Sequence, residues 1–365
     1  MSSFLKRLFL VHGLGLLLFS CGHITHKQDE KIYIVQRERE SLQVISSNKI
    51  DKIEDLGNLN HATMKFKWGN GYLLARNGFL SKIDIENDKL IKKVKIGKSG
   101  IGLTFTHEHI VIVNYDPSSV VILDKNLEII KTISTDSRNV GVKVYKNLLV
   151  FSLMDKNEIW VLDSKDHYNL VKKIENVGNL PFDALINENN YLVGFFNEPT
   201  IGFLDLENFS YKRISLTNND ANVVYKVPHF GYWGIVNDFA FVPMAAQRKI
   251  LVIDLKQKVA IKEIELKGEP VFASVSPDKK QIVVNYSGEN ENFLSVINTD
   301  KKSIEHTFEA GKRVMHLRFS TNGEKLYVTS YFENRMHEFQ VNKWNKLNSV
   351  DVATPSGVFL NTIME

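Results

Sequence analysis

The stretch Gly71-Tyr72-Leu73-Leu74-Ala75-Arg76-Asn77-Gly78-Phe79-Leu80-Ser81-Lys82-Ile83-Asp84 decides the fold of this chain. Residues 71–75 and 79–84 read as two strands, and Asn77-Gly78 between them is a strong hairpin signal because both residues tolerate positive φ. Residues 90–96 read as a third strand. The stretch closes on an apolar residue followed by Asp, Ile83-Asp84. That ending recurs at Leu123-Asp124, Leu162-Asp163, Leu204-Asp205 and Ile253-Asp254, then with polar stand-ins at Ile297-Asn298 and Phe339-Gln340. Successive spacings are 40, 39, 42, 49, 44 and 42 residues, and Ile45-Ser46, 38 residues before Asp84, makes an eighth copy. A period of about 40 residues built from short apolar strands and polar turns marks a radial β-array, in which each unit buries its faces only against its neighbours. The chain is predicted to be all-β, an eight-bladed β-propeller.

The same meander recurs in residues 110–114 with 120–124, 148–153 with 158–163, and 325–330 with 336–340. A fourth strand precedes each Asn-Gly or Pro-Asp turn, as Ala273-Ser274-Val275-Ser276 does before Pro277-Asp278. The first unit lacks that leading strand, since residues 32–35 read as its second, while the chain ends on an orphan apolar segment, Val358-Phe359-Leu360-Asn361-Thr362-Ile363. Closure by the C-terminal strand is expected, because a closed ring has no open edges to aggregate through. A β-sandwich and a seven-bladed ring with a decorated terminus are the alternatives. The propeller is expected over residues 32–365.

Residues 1–20 stand outside this pattern. Lys6 and Arg7 give a positive start, residues 8–19 an apolar core, and Leu18-Phe19-Ser20-Cys21 ends on the chain's single cysteine. This is a secretory signal too short for a comfortable membrane span. Its ending resembles a bacterial lipobox, which implies that cleavage leaves a diacylglycerol-modified Cys21 as the lipid anchor, followed by a polar tether over residues 21–31. An ordinary signal peptide is the bland alternative. Gly22 follows without an Asp retention signal, so a two-membrane host would hold the protein in the periplasm, on the outer rather than the inner membrane. With Cys21 acylated no thiol remains for disulfide, metal or catalysis. The formal net charge of +4 includes Lys6 and Arg7, so the mature chain carries only a small positive charge and no nucleic-acid footprint.

Familiar catalytic motifs are absent: there is no Cys-x-x-Cys-His for covalent c-type haem, no phosphate loop, no nucleophile elbow, no His-Glu-x-x-His, and no flavin or NAD fingerprint. His107-Glu108-His109 has the look of a metal-ligand pair but sits at a turn between strands. The connections entering the blades are more informative. His61, His229 and His316 occupy corresponding places, just before or at the first strand of their units. In a propeller these loops surround one mouth of the axial channel, so three imidazoles from non-adjacent blades converge on one pocket. Arg76, Arg138 and Arg313 lie near the same positions and suit carboxylates, while Tyr225, Phe230, Tyr232 and Trp233 suit stacking on a flat ring. The set suggests a large, planar, anionic ligand with an axial imidazole. For each residue, ordinary packing is the competing role.

Leu59-Asn60-His61-Ala62, Asn114-Tyr115-Asp116-Pro117, residues 136–141, Pro181-Phe182-Asp183-Ala184, Val227-Pro228-His229, Pro270-Val271-Phe272, Val314-Met315-His316-Leu317-Arg318-Phe319 and Pro355-Ser356-Gly357 occur in the chain in this order. Together they resemble the haem d1 propeller family, and within it the NirF-type members of denitrifying bacteria. Asn77 after Arg76 and the run Phe230-Gly231-Tyr232 depart from the family pattern. The resemblance implies a periplasmic protein that binds a haem d1 precursor tetrapyrrole at the channel mouth and modifies its side chains during maturation of dissimilatory nitrite reductase. A non-catalytic carrier that delivers the precursor, and a scaffold propeller of the outer-membrane assembly or quinoprotein sort, are the other readings. The implied partners are the other haem d1 assembly proteins and nitrite reductase. The resemblance further implies His229 as axial iron ligand and His61, His316 and Asp136 as catalytic groups. Arg76, Arg138, Arg313, Tyr225 and Trp233 are the implied ring contacts. A neutral imidazole near its ordinary pKa suits ligation or proton transfer at neutral pH.

Overall fold

In the computed structural model, which describes residues 30–47, 49–216 and 234–361, the repeat folds as eight four-stranded antiparallel sheets. We number them as blades 1 to 8 in chain order. In blades 2 to 8 the strands run outward from the axis in sequence order. The innermost are Thr63–Lys67, Ser99–Phe105, Asn139–Tyr145, Pro181–Asn187, Gly234–Val236, Glu269–Val275 and Val314–Phe319. In blade 1 the innermost strand is Pro355–Leu360, which pairs antiparallel with Ile32–Gln36 so that Tyr33 faces Phe359 and Ile34 faces Val358.

Strand alternation explains the stacking. Every second residue of an inner or middle strand points into a gap between blades, and each gap is filled by one apolar cluster. Tyr33, Val35 and Leu42 meet Leu59, Met64 and Leu73 between blades 1 and 2, and the pattern continues around the ring. Ile34, Val358 and Leu360 pack on Tyr327, Met336 and Val352 between blades 1 and 8. The outermost strands expose Ile, Leu and Val, among them Ile91, Ile130 and Leu170. Lysines such as Lys92, Lys131 and Lys172 stand beside them and discourage edge pairing.

The two turn signals of the sequence lie at opposite ends of the blades. Asn77-Gly78 joins the second and third strands of blade 2, whereas Pro277-Asp278 joins the first and second of blade 7. Gly78 takes φ +79, and a Cβ there would stand 2.3 Å from the Gly97 carbonyl oxygen, so glycine is required. His107-Glu108-His109 belongs to the Pro-Asp kind of turn, at the end away from the loops entering the blades. There His109 Nδ1 lies 2.8 Å from the Tyr168 hydroxyl. Among the described residues no group of three His, Cys, Asp or Glu is arranged for a metal ion.

Candidate functional site

Loops entering the blades and turns between second and third strands share one end of the ring, here called the mouth. Carboxylates of the turns hold the loops in place. Asp155 accepts the Arg138 backbone N–H at 2.8 Å, Glu198 that of Asn179 at 2.7 Å, and Glu333 that of Lys312 at 3.3 Å. Glu333 is itself anchored, accepting from Ser330 at 2.5 Å and lying 2.8 Å from Nε2 of the buried His337, whose Nδ1 meets Ser349. Burial pushes the Glu333 carboxyl up, but the hydrogen bonds from Ser330 and His337 outweigh it and hold the group near 2.

Inside the mouth the axis widens into a cavity of about 840 Å³. Its wall follows from alternation along the innermost strands. In Thr63–Lys67, Met64 turns into the blade core while Thr63 and Lys65 line the cavity; in Val314–Phe319, Leu317 turns inward and His316 and Arg318 line it. The upper wall carries Arg37, His61, Glu269, Glu291, Arg313 and His316, and the deeper wall Lys65, Lys143, Asp183 and Arg318.

His316 is buried at 8% exposure, and burial pushes its imidazole down to about 4. The Val358 backbone N–H donates to its Nδ1 at 3.3 Å, which leaves the proton of the neutral ring on Nε2. Phe272 packs edge-on to it at 5.4 Å between centroids, and Phe359 lies at 5.6 Å with a 37° tilt. His61, by contrast, is exposed on the wall, in a left-handed conformation (φ 56), next to Asn60, whose side chain accepts from Arg37 Nε. Arg313 also lines the cavity. Its guanidinium lies 5.2 Å from the Tyr331 ring, 5.1 Å from the Phe332 ring and 3.9 Å from Glu291.

Three other candidates do not line the cavity. Arg138 is held by both oxygens of Asp155, at 2.6 and 3.1 Å, and its guanidinium lies 6.0 Å from the Tyr115 ring centre. Arg76 donates to the Ser99 hydroxyl and lies 5.5 Å from the same ring. Asp136 is exposed beside Lys156 at 3.8 Å, on the blade 4 loop and away from His61. All three sit at the mouth but outside the cavity wall, Arg138 held by Asp155, Arg76 by Ser99 of the next inner strand, and Asp136 beside Lys156. His229, Tyr225, Trp233 and Cys21 lie outside the described residues.

Lys65, Lys143, Asp183, Arg318, Arg37 and Phe272 were not singled out as site residues by the sequence. Alternation was the available signal. In Thr63-Met64-Lys65-Phe66-Lys67 the apolar residues fill the blade core, so the lysines of an innermost strand have only the channel to face.

The family model for the cytochrome D1 heme domain matches residues 27–363. Protein NirF of Stutzerimonas stutzeri is 28% identical over 383 residues, covering 98% of each chain, and protein NirF of Pseudomonas aeruginosa is 28% identical over 353 residues, covering 90% of each. Among solved structures, the dihydro-heme d1 dehydrogenase NirN in complex with DHE superposes with a TM-score of 0.78 at 17% identity, covering 90% of this chain and 74% of that one. AztD from Citrobacter koseri superposes at 0.70 with 14% identity, covering 91% and 97%.

Proposed function

Because the chain belongs to the cytochrome D1 heme domain family, we propose that it binds a haem d1 precursor tetrapyrrole in the axial cavity and serves haem d1 maturation for dissimilatory nitrite reductase. The observation that carries this reading is the cavity itself. Its 840 Å³ falls in the range of pockets that enclose a ligand of this size, and its wall joins cations, a neutral imidazole and the flat faces of Phe272 and Phe359. A planar ring with anionic side chains is the ligand class such a wall fits.

Within this reading the histidines divide their work. His316, with its proton on Nε2 and its lone pair on Nδ1 engaged by Val358, serves as a hydrogen-bond donor toward the ring edge rather than as the iron ligand. Axial ligation falls to His61 or to His229. Modification of the ring's side chains is the finer part of the proposal, and the chain's own contribution to it is binding, orientation by the His316 hydrogen bond and proton handling by His61. The periplasm is the proposed location, with acylated Cys21 as anchor, supported by the positive start, the apolar residues 8–19 and the Leu-Phe-Ser-Cys ending.

The test is an absorption titration of the purified protein with haem d1, its dihydro precursor and haem b, followed by mass spectrometry of the recovered ligand. Tight, band-shifting binding of the d1-type rings alone is expected, with chemical change of the precursor. Binding of haem b as strongly as the others, or of none of them, would overturn the reading. An unchanged precursor after binding would reduce it to delivery.

A further inference from the structure

Below the level of His316 the cavity wall changes character. Arg318 follows His316 by two residues on the same face of its strand, about 7 Å deeper at the ordinary rise of a strand. Across the channel stand Lys65 from blade 2 and Lys143 from blade 4. Among the described residues one carboxylate is present at this depth, Asp183 of blade 5, and it lies 3.7 Å from Lys143. Lys65 makes no hydrogen bond and no ion pair with any described residue. In the upper wall the charges are balanced, Arg37 and Arg313 against Glu269 and Glu291. In the deeper wall, among the described residues, Lys65 and Lys143 stand with Arg318 around the single carboxylate of Asp183.

We infer that this floor is an anion-binding subsite, with Lys65 as its contact residue, and that it takes a carboxylate side chain of the ligand inserted down the channel. The inference rests on the tetrapyrrole reading only for what carries the carboxylate. Lys65 is half-buried on the cavity wall, with Asp183 as the nearest source of negative charge and already 3.7 Å from Lys143, so among the described residues the floor carries more positive than negative charge and an incoming anion would be favoured there. Burial, and secondarily the nearness of Lys143, push the Lys65 ammonium down to about 8, the direction expected of a cation awaiting an anion. The arrangement also gives direction: a macrocycle with one acidic side chain on the floor presents its opposite edge to the mouth.

Two probes test this, haem d1 and the small flat polyanion benzenetetracarboxylate, each titrated into wild type, Lys65→Met, Lys65→Arg and the rim control Arg138→Ala. Circular dichroism and melting temperature verify that each variant is folded. Lys65→Met should weaken at least one probe roughly tenfold or more, while Lys65→Arg restores most of the affinity and Arg138→Ala stays within about twofold of wild type. The wild-type affinity should fall as pH rises past 8, and that of Lys65→Arg should not. A Lys65-dependent loss with benzenetetracarboxylate, in a protein that ignores haem d1, would leave the floor standing and remove the tetrapyrrole reading. Unchanged affinity of Lys65→Met for every probe that wild type binds, or binding of neither probe by wild type, would overturn the inference.

Discussion

Arg138 at the mouth and Lys65 on the channel floor are both cations at the same end of the propeller, yet they are in opposite states. Arg138 is saturated: Asp155 takes its guanidinium at 2.6 Å and its backbone N–H at 2.8 Å, and the Tyr115 ring lies beside it. Lys65 has no such partner among the described residues. The difference teaches that a charge near a pocket says little until its local partners are counted. At the mouth, carboxylates of one turn hold the neighbouring loop, and Arg138 is tied into that contact while Arg37 and Arg313 reach the cavity wall. On the proposed reading, recognition rests on Lys65 rather than on Arg138.

The largest effect is expected from removing both regions at once. Deleting residues 355–365 takes away the inner strand of blade 1, with Val358 and Phe359, and should abolish a cooperative melting transition or drive the protein into aggregates. A soluble monomer with an unchanged melting temperature would show that the mouth and floor do not depend on that strand.

Next comes acid. His316 is held at about 4, below its unfolded value of 6.5, so the stability that it contributes is fully present above pH 6.5 and is lost as pH falls to 4. The loss should amount to about 3 kcal/mol. Glu333, held near 2, gives a second window, with stability present above pH 4.5 and lost on the way to 2. Chemical denaturation across pH should show both slopes. His316→Gln should flatten the upper window, and Glu333→Gln the lower. A wild-type profile that is flat from 6.5 to 4 would mean that His316 is solvated and not part of a dry wall.

Smaller effects belong to the rim. Asp155→Ala frees Arg138 and its loop, and because both side chains are over two-fifths exposed the cost in stability should be about 0.5–1 kcal/mol. Ligand affinity should stay within about twofold, measured by the same absorption titration. Arg76→Ala, which loses Ser99 and the Tyr115 face, should change binding still less. A tenfold loss of affinity in either variant would erase the contrast between mouth and floor.

Much of the architecture was legible because a propeller repeats its physics. Each unit needs the same apolar alternation and the same polar turn, so Ile83-Asp84 and its seven counterparts report the blades directly. Strands 79–84, 148–153 and 325–330 have the bounds the pattern suggested. The site was harder. His61, Arg313 and His316 line the cavity, and their places at the start of inner strands marked them. Arg138 and Asp136 also precede an inner strand and Arg76 sits in a turn at the same end, but their contacts are made by Asp155, Lys156 and Ser99, residues 20 or so positions away that only the fold brings close. Lys65 and Arg318 were visible in principle as polar residues alternating on innermost strands. Lysines in a strand are so often solvent-facing that the pattern attracts notice only once the strand is known to be central.

The bond between Val358 and His316 joins residues 42 positions apart, and Val358 belongs to the strand that the ribosome makes after every other described one. Until synthesis passes Leu360, blade 1 has no inner strand and His316 has no amide to fix its tautomer. A nascent chain can stack its early blades one after another, but the pocket matures only at the final strand. The wall around His316 is thereby a readout of ring closure: it is complete only when the first and last described strands have found each other, about 320 residues apart in the chain.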